Sequence, residues 1–269
     1  MKNEMIDIDP ILKVNPVLNP YKHAGKLVYE RLLWDLNPES WRSRKKLKDS
    51  KNKFKGQKVV ILCNGPSLNK VDFDLLKNIP TIGLNKVNLL FDRTSFRPTM
   101  IAAVNGLVVE QNLDFYNSTE IPLFISSNSS KIVTSRENVS FLHGSYQQKF
   151  SEDVSMSIWE GGTVTFVAMQ LAFHLGFQNV ALVGCDHYFS AKGAPGQLAV
   201  SKEKDDSHFD PRYFSNGMQW QLPEISTSEY SYNIANQKYL AHGRKIFNAT
   251  DGGALEIFER IKIEDFLKK

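Results

Sequence analysis

Short apolar runs that end in small polar residues recur along the chain from about residue 57 onwards. Each run has the length and the β-branched content of a strand buried on both faces of a parallel sheet. The runs are KVVILC, TIGLNKV, TMIAAVN, IPLFISS, NVALV and KIFNAT. Their alternation with helical segments predicts an α/β fold that is Rossmann-like, with a mostly parallel sheet and helices on both faces.

Two longer helices are predicted in the second half of the chain. The first, in GGTVTFVAMQLAFHLGF, begins after two glycines and a threonine and stops at Gly176. The second runs from Ser228 to His242 and closes at Gly243. Backbone N–H groups at the start of the first helix, aided by the helix dipole, are suited to bind an anion without a dedicated cation.

The carboxyl ends of the strands are the predicted ligand site, because open α/β sheets bind ligands in the crevice outside those ends. The candidates there for contacting a nucleotide are Asn64, Gly65, Pro66, Ser67, Asn85, Asn105, Gly161, Gly162, Thr163, Gly184, Asp186, Asn248 and Thr250. Structural alternatives are open for several of them. They are tight packing for the glycines, a cap or turn for Asp186, and a turn for Asn248 and Thr250.

Residues 1–56 are predicted to form an N-terminal helical and basic extension, ahead of the main domain over 57–269. The segment YKHAGKLVYERLLWDLNPESW has a broadly helical spacing that ends before Pro38. Between Trp41 and Lys58 basic residues cluster, with Asp49 as the only acid. This run is either a solvated linker or a surface attracted to an anionic membrane. Nucleic-acid binding is not expected, because no reading module accompanies the run.

Composition narrows the class of protein. With 269 residues, 42% of them hydrophobic and 23% charged, the chain is expected to form one globular domain with a sizeable core. No run approaches the roughly 18 to 20 apolar residues of a membrane span, and the first residues lack a signal-peptide layout. A cytoplasmic location is therefore expected, with peripheral contact at the inner face of the membrane as an option. Cys63 and Cys185 lack disulfide or zinc spacing, which predicts buried free thiols.

Six motifs occur in the order found in Campylobacter-type bacterial sialyltransferases, the glycosyltransferases of family 42: CNGPSL, GLNKV, VNGLVVEQ, GGTVTFVAMQLAFHLGF, LVGCDHYF and DDSHF. This resemblance covers roughly residues 58–214. The chain also resembles the wider group of proteins with an MptE-like domain, which includes motility accessory factors linked to flagellin glycosylation. For that group the resemblance continues through GRKIFNATDGGALEIFERI. Both resemblances imply that residues 57–269 form a Rossmann-like catalytic domain that binds a nucleotide sugar.

The sialyltransferase resemblance implies roles for individual residues. Residues 64–67 match the loop that approaches the nucleotide's phosphate and ribose, and Asn85 and Asn105 match asparagines that contact the CMP portion of the donor. Asp186 matches an acid beside the nucleotide, and Tyr188 matches a tyrosine that touches the donor phosphate. The helix start departs from the family, which has Thr-Ser-Gly where this chain has Gly-Gly-Thr. No cofactor and no metal site are implied, because the CMP-linked sugar is a substrate.

The catalytic base is the main departure from that family. Removal of the acceptor's proton suits a histidine, whose unperturbed pKa is about 6.5. The family's histidine falls four residues after the position of His208, where this chain has Arg212. His208 is the preferred candidate, His187 and Asp210 are the others, and a surface histidine without a catalytic role is the structural alternative. Arg212 is suited to pair with a phosphate or with a sugar's carboxylate.

Residues 190–222 form a predicted acceptor-binding lid, in which aromatic residues serve as sugar platforms or as hydrophobic anchors. The leading expectation is an inverting, metal-independent glycosyltransferase that moves an acidic sugar from a CMP donor to a surface glycan or a lipopolysaccharide-type acceptor. The alternatives are pyrophosphoryl transfer from ATP to a pterin alcohol, which needs magnesium held by carboxylates, and a non-catalytic module of the same fold. The expected partners are a nucleotide sugar and a glycan or glycolipid acceptor, and the oligomeric state is left open.

Overall fold

The computed structural model describes residues 19–188, 194, 196–201 and 204–269, so the first 18 residues of the predicted extension and several residues of the predicted lid lie outside it. Its ten strands, in chain order, are β1 (Lys58–Leu62), β2 (Thr81–Leu84), β3 (Met100–Ala103), β4 (Leu123–Ser126), β5 (Val139–Leu142), β6 (Asn179–Val183), β7 (Leu198–Val200), β8 (Gln219–Gln221), β9 (Lys245–Asn248) and β10 (Glu259–Arg260). The helices are α1 (Pro20–Asp35), α2 (Pro38–Ser50), α3 (Gly106–Gln111), α4 (Leu113–Ser118), α5 (Val164–His174), α6 (Ile225–Ala241) and α7 (Ile263–Lys268).

Eight of these strands form one parallel sheet in the order β10-β9-β6-β1-β2-β3-β4-β5, while β7 and β8 form a separate antiparallel pair. The first strand, β1, lies in the middle of the sheet. Strands β2 to β5 follow it in order towards one edge, and β6 lies next to β1 on the other side. Val60 of β1 consequently pairs with Thr81 on one side and with Ala181 on the other. This reversal creates a switch point between β1 and β6. The Rossmann-like α/β fold predicted from the sequence is confirmed.

The central strands are buried because helices cover both faces of the sheet. Alternate residues of β1 enter different cores, with Ile61 packed among the residues of α5 and Leu62 in the core that contains Tyr116. Helix α5 is enclosed on all sides, and residues 165–174 are all buried, including the polar side chains of Gln170 and His174. Cys63 and Cys185 are buried free thiols, as predicted.

The basic run near the N-terminus is helical up to Ser50, so the prediction of a solvated linker is wrong for this part of it. Helix α2 starts at Pro38 and packs against β5, and its N-cap Asn37 accepts the backbone N–H of Glu39 at 2.9 Å. Leu47 is 2% exposed, and the Ser43 hydroxyl accepts the backbone N–H of Phe141 in β5 at 2.9 Å. Arg42 also faces β5, because its guanidinium donates to the Val139 carbonyl at 3.0 Å, whereas Lys45 and Lys48 are exposed.

Helix α1 buries one residue, Trp34, within the part of the chain that the structure describes. Apolar side chains on its other faces are exposed, among them Tyr21, Tyr29 and Leu32. No described helix is long and apolar enough to cross a membrane.

Candidate active site

Two cavities lie at the carboxyl edge of the sheet. The large crevice has a volume of about 1250 Å³ and spans the ends of β2 to β5, the start of α5 and the segment around His208. The small cavity, of about 330 Å³, lies on the other side of the switch point. The predicted site residues divide between these two cavities and a packed joint that separates them.

The joint connects the loop after β1 with the loop after β6. The carboxylate Oδ2 of Asp186 accepts the backbone N–H of Ser67 at 3.2 Å and its hydroxyl at 2.8 Å. The Gly65 N–H donates to the Gly184 carbonyl at 2.9 Å. A Cβ on Gly65 would lie 2.0 Å from Asp186 Oδ2, so only glycine allows this approach. These four residues join the two loops, and their contact with a nucleotide stays a prediction.

Asn64 and Pro66 occupy different positions in the same loop. The Asn64 carbonyl accepts the backbone N–H of Phe209 at 2.9 Å, which attaches the lid segment to the end of β1. Its side-chain Oδ1 is buried without a hydrogen-bond partner among the described residues. Pro66 lines the small cavity together with Asp186, Asp206 and Gly253.

The end of β9 forms a buried turn, the alternative that the sequence left open. The Asn248 side chain donates to the Leu255 carbonyl at 2.8 Å and accepts the Thr250 N–H at 3.0 Å. The Thr250 hydroxyl accepts the Cys185 N–H at 3.0 Å. Because these polar groups pair with the protein itself, Asn248 and Thr250 fix the loops around the switch point and line neither cavity.

Asn85 and Asn105 both line the large crevice, at the ends of β2 and β3. Asn85 has a φ of 47°, and its side-chain Oδ1 is buried without a hydrogen-bond partner in the described structure. Asn105 caps α3 by accepting the Val108 N–H at 3.3 Å, and its amide nitrogen donates to Gln221 of β8 at 3.1 Å. The crevice is thus bridged to the lid segment at Asn105, whereas Asn85 keeps an unsatisfied acceptor.

The N-terminus of α5 opens into the large crevice through residues 161–164. Gly161 and Gly162 have φ values of 57° and 75°, and a Cβ on Gly161 would lie 2.5 Å from the Phe166 ring. The Thr163 hydroxyl accepts the backbone N–H of Thr165 at 3.3 Å as the N-cap. The pair of glycines therefore makes the tight turn that exposes the positive end of the α5 dipole to the crevice.

His208 lines the same crevice and is held by an acid. Its Nδ1 lies 2.7 Å from Oδ2 of Asp205, and its ring stacks on Tyr213 with the two planes 1° apart and the centroids at 4.0 Å. Burial opposes ionisation of Asp205, but the His208 hydrogen bond prevails and lowers the pKa of the Asp205 carboxyl. An imidazole fixed through Nδ1 leaves Nε2 as the nitrogen available to a reacting hydroxyl. We did not predict Asp205 as the partner of His208 from the sequence.

The other proposed catalytic side chains lie away from the large crevice. His187 Nε2 faces Glu229 of α6 at 3.1 Å. Arg212 pairs with Asp210 at 2.9 Å and with Asp92 at 2.8 Å, and these bonds raise its pKa. Asp210, the third base candidate, is thereby an ion-pair partner. Tyr188 lines the small cavity and is 71% exposed.

Lys86 anchors the segment that carries His208. It is buried, 4% exposed, and its ammonium donates to the Tyr213 carbonyl at 2.6 Å and to Gln111 Oε1 at 2.8 Å. The same ammonium lies 4.9 Å from the centroid of the Phe214 ring. Burial lowers the pKa of Lys86 to about 8. Tyr213 and Phe214 of the predicted lid are buried, and Tyr213 supports the His208 ring. Both also line the large crevice with Trp220, so their use as sugar platforms stays a prediction.

The large crevice also contains residues that were not predicted from the sequence: Trp34, His143, Tyr146 and Glu160. Burial lowers the pKa of His143 and raises the pKa of Glu160. Glu160 directly precedes Gly161 in the sequence. An acid just before the glycine pair at the start of a helix is the sequence feature that could have pointed to Glu160 as a site residue. His143 follows β5, one of the strands that the apolar pattern did not predict.

Comparison with known proteins gives a family and a distant structural likeness. The family model described as 6-hydroxymethylpterin diphosphokinase MptE-like matches residues 36–192. No curated protein matches the chain. A structure of the MAf glycosyltransferase from Magnetospirillum magneticum AMB-1 superposes with a TM-score of 0.49 at 15% identity, over 83% of this chain and 38% of that one. The chain therefore spans well under half the length of that protein.

Proposed function

This chain belongs to the MptE-like family, and from that premise and the geometry of the large crevice we propose that it is a glycosyltransferase. The observation that carries the proposal is the His208 and Asp205 pair, with Nδ1 and Oδ2 2.7 Å apart, in a crevice that also receives the N-terminus of α5. A base beside an anion-binding helix end suits transfer from a phosphate-activated donor.

The donor that we propose is a nucleotide-activated acidic sugar, with CMP as the leaving nucleotide. Its phosphate would bind beside Gly162 and Thr163 at the N-terminus of α5, where the helix dipole stabilises negative charge. The Asn85 side chain, at the crevice end of β2, would contact a polar group of the nucleotide. The acceptor would be a surface glycan or a glycolipid.

The proposed reaction is a single inverting displacement. His208 Nε2 takes the proton of the acceptor hydroxyl while that oxygen bonds to the anomeric carbon and the bond from this carbon to the phosphate oxygen breaks, releasing CMP. Asp205 holds the Nδ1–H tautomer and stabilises the imidazolium that forms. The α5 N-terminus stabilises the negative charge of the leaving phosphate. His208 thus acts as the base, and the helix end provides the electrostatic stabilisation.

Pyrophosphoryl transfer is the second candidate, because the matched family model takes its name from that activity. It would need carboxylates arranged around magnesium. Asp186, the acid nearest the loop after β1, already accepts two hydrogen bonds from Ser67. Among the described residues no group of three or more His, Cys, Asp or Glu side chains is placed to hold a metal ion. The crevice therefore favours sugar transfer.

Nucleotide-dependent thermal shift separates the two candidates. We expect CMP to stabilise the protein in EDTA and CMP-linked sialic acid to release CMP on incubation. Replacement of His208 by alanine should abolish that release while leaving the CMP-induced shift in place. Stabilisation by ATP with magnesium, and by none of CMP, UDP and GDP, would overturn the proposal.

Peripheral contact with an anionic membrane belongs to the same proposal. Helix α1 exposes Tyr21, Tyr29 and Leu32, and α2 carries exposed lysines close to it. Cosedimentation with vesicles of phosphatidylglycerol, compared with vesicles of phosphatidylcholine alone, tests this contact. Equal recovery in the two pellets would contradict it.

A further inference from the structure

The large crevice extends beyond the residues proposed for the donor. Its far end lies between α1 and the segments that follow β4 and β5, and it is lined by Leu33, Trp34, Ser127, His143, Tyr146 and Glu160. His143 follows β5, which is three strands away from the end of β2 where Asn85 lies. At the spacing of neighbouring strands this is roughly 14 Å, so the two ends have room for two ligands.

We propose that this far end is a subsite for a neutral sugar ring of the acceptor, whose hydroxyls bind the Glu160 carboxylate. The inference rests on the proposed function, because it names the chemistry of the acceptor that the same crevice would use. Residues of α1 contribute to the subsite, and this helix precedes the part of the chain that carries the sialyltransferase-like motifs.

Aromatic side chains form the walls of the far end. The rings of Trp34 and His143 are nearly parallel, with centroids 5.9 Å apart and planes 3° apart. Tyr146 is 67% exposed at the mouth, so its ring can cover a bound sugar. The Ser127 hydroxyl lies 3.5 Å from His143 Nδ1. A few polar groups among aromatic walls are typical of sites for small polar ligands that have apolar faces.

Glu160 selects the class of ligand. Its carboxylate lines the crevice, and no hydrogen bond or ion pair to it occurs within the described structure, while its backbone carbonyl accepts the Thr163 N–H at 3.1 Å. A desolvated carboxylate gains most from hydroxyl donors, which form charge-assisted hydrogen bonds. Glu30 lines the same end. Glu30 pairs with Lys26 at 3.7 Å, and Lys131 also lines the crevice. Glu160 is the acid of this end that has no ion-pair partner among the described residues, so it favours a hydroxyl-rich, uncharged ligand over an anionic sugar.

Saturation-transfer NMR on the full chain tests the subsite. The neutral probes are the methyl β-glycosides of galactose, glucose and N-acetylglucosamine, and the anionic counterpart is methyl β-glucuronide. We expect at least one neutral glycoside to bind in the millimolar range and the glucuronide to give no signal. Glu160→Gln should weaken binding about tenfold, which corresponds to about 1.4 kcal/mol.

Matched variants keep the test sharp. Tyr146→Ala changes an exposed side chain, so it should fold normally and still weaken the neutral glycoside severalfold. Glu110→Gln, at an exposed position outside the crevice, should bind as the wild type does. Thermal unfolding of every variant confirms folding.

The outcomes separate this inference from the proposed function. No binding by any neutral glycoside, equal binding by wild type and Glu160→Gln, or equal binding of the glucuronide would overturn the neutral subsite. If CMP binds and the glycosides do not, only the subsite falls. If the glycosides bind in a Glu160-dependent way and CMP does not, the subsite stands and the CMP donor falls.

Discussion

Lys86 is the buried cation on which the position of the His208 segment depends, and its titration should be visible in the stability of the protein. The ammonium is enclosed by the Tyr213 carbonyl, Gln111 and the Phe214 ring. Burial lowers its pKa from the ordinary value of 10.5 to about 8, although Asp205 acts in the opposite direction. The folded chain therefore holds this proton less tightly than the unfolded chain, so protonation of Lys86 costs stability at neutral pH.

The size of the effect follows from the two pKa values. The cost is complete below the folded pKa and disappears as the pH rises towards the unfolded pKa, because the unfolded chain then binds more protons. A gap between 10.5 and about 8 corresponds to roughly 3 kcal/mol in total. Between pH 7 and pH 9 the gain in the free energy of unfolding from Lys86 is about 1 kcal/mol.

Urea unfolding at pH 7, 8 and 9 measures this gain when wild type is compared with Lys86→Met. Other groups also change the stability of the protein with pH. The pKa of the buried Cys63 thiol is raised, so its contribution to the free energy of unfolding falls as the pH rises. The difference between the two proteins removes that background. We expect wild type to gain about 1 kcal/mol relative to Lys86→Met, and the exposed control Lys45→Met to behave as wild type. Parallel pH profiles for wild type and Lys86→Met would refute this account of Lys86.

Two further substitutions test the joint and the catalytic pair. Gly65→Ala places a Cβ 2.0 Å from Asp186 Oδ2 and should lower the free energy of unfolding by about 1–3 kcal/mol. The control Gly25→Ala, where a Cβ has nothing within 4 Å, should not destabilise the protein. Equal melting temperatures for the two variants would contradict the tight approach at Gly65. Asp205→Asn removes the carboxylate that orients His208 and should reduce kcat roughly 10²- to 10⁴-fold with KM little changed. An unchanged kcat in a steady-state assay would show that Asp205 does not position the His208 ring.

The strands could be predicted where burial on both faces makes the sequence continuously apolar. This holds for β1 and β6, whose observed bounds differ little from the predicted runs. It fails for β5, whose four residues include Ser140, and for β10, which has two exposed residues. Helix α2 escaped prediction because its buried face consists of Ser40, Ser43 and Leu47, so the helix carries no apolar stripe.

The location of the site could be predicted, but not the use of its side chains. Parallel strands bring all their carboxyl-end residues to one edge, so the sequence indicates which residues converge there. It does not indicate that the Asp186 carboxylate accepts a hydrogen bond from the Ser67 hydroxyl, or that Asn248 closes a turn, because these pairings depend on distances between loops. The far end depends on Trp34 of α1, whose position over β5 follows from the packing of α2.

Calorimetric titration of CMP in EDTA, carried out on two variants, tests most directly whether the nucleotide binds in the large crevice. Asn85→Gly removes the side chain at a φ of 47° without strain, and Asn52→Gly at 60° is the matched control outside the crevice. Tyr188→Ala reports on the small cavity. We expect weaker binding for Asn85→Gly alone. Wild-type affinity for Asn85→Gly together with loss of binding for Tyr188→Ala would contradict this expectation and place the nucleotide in the small cavity.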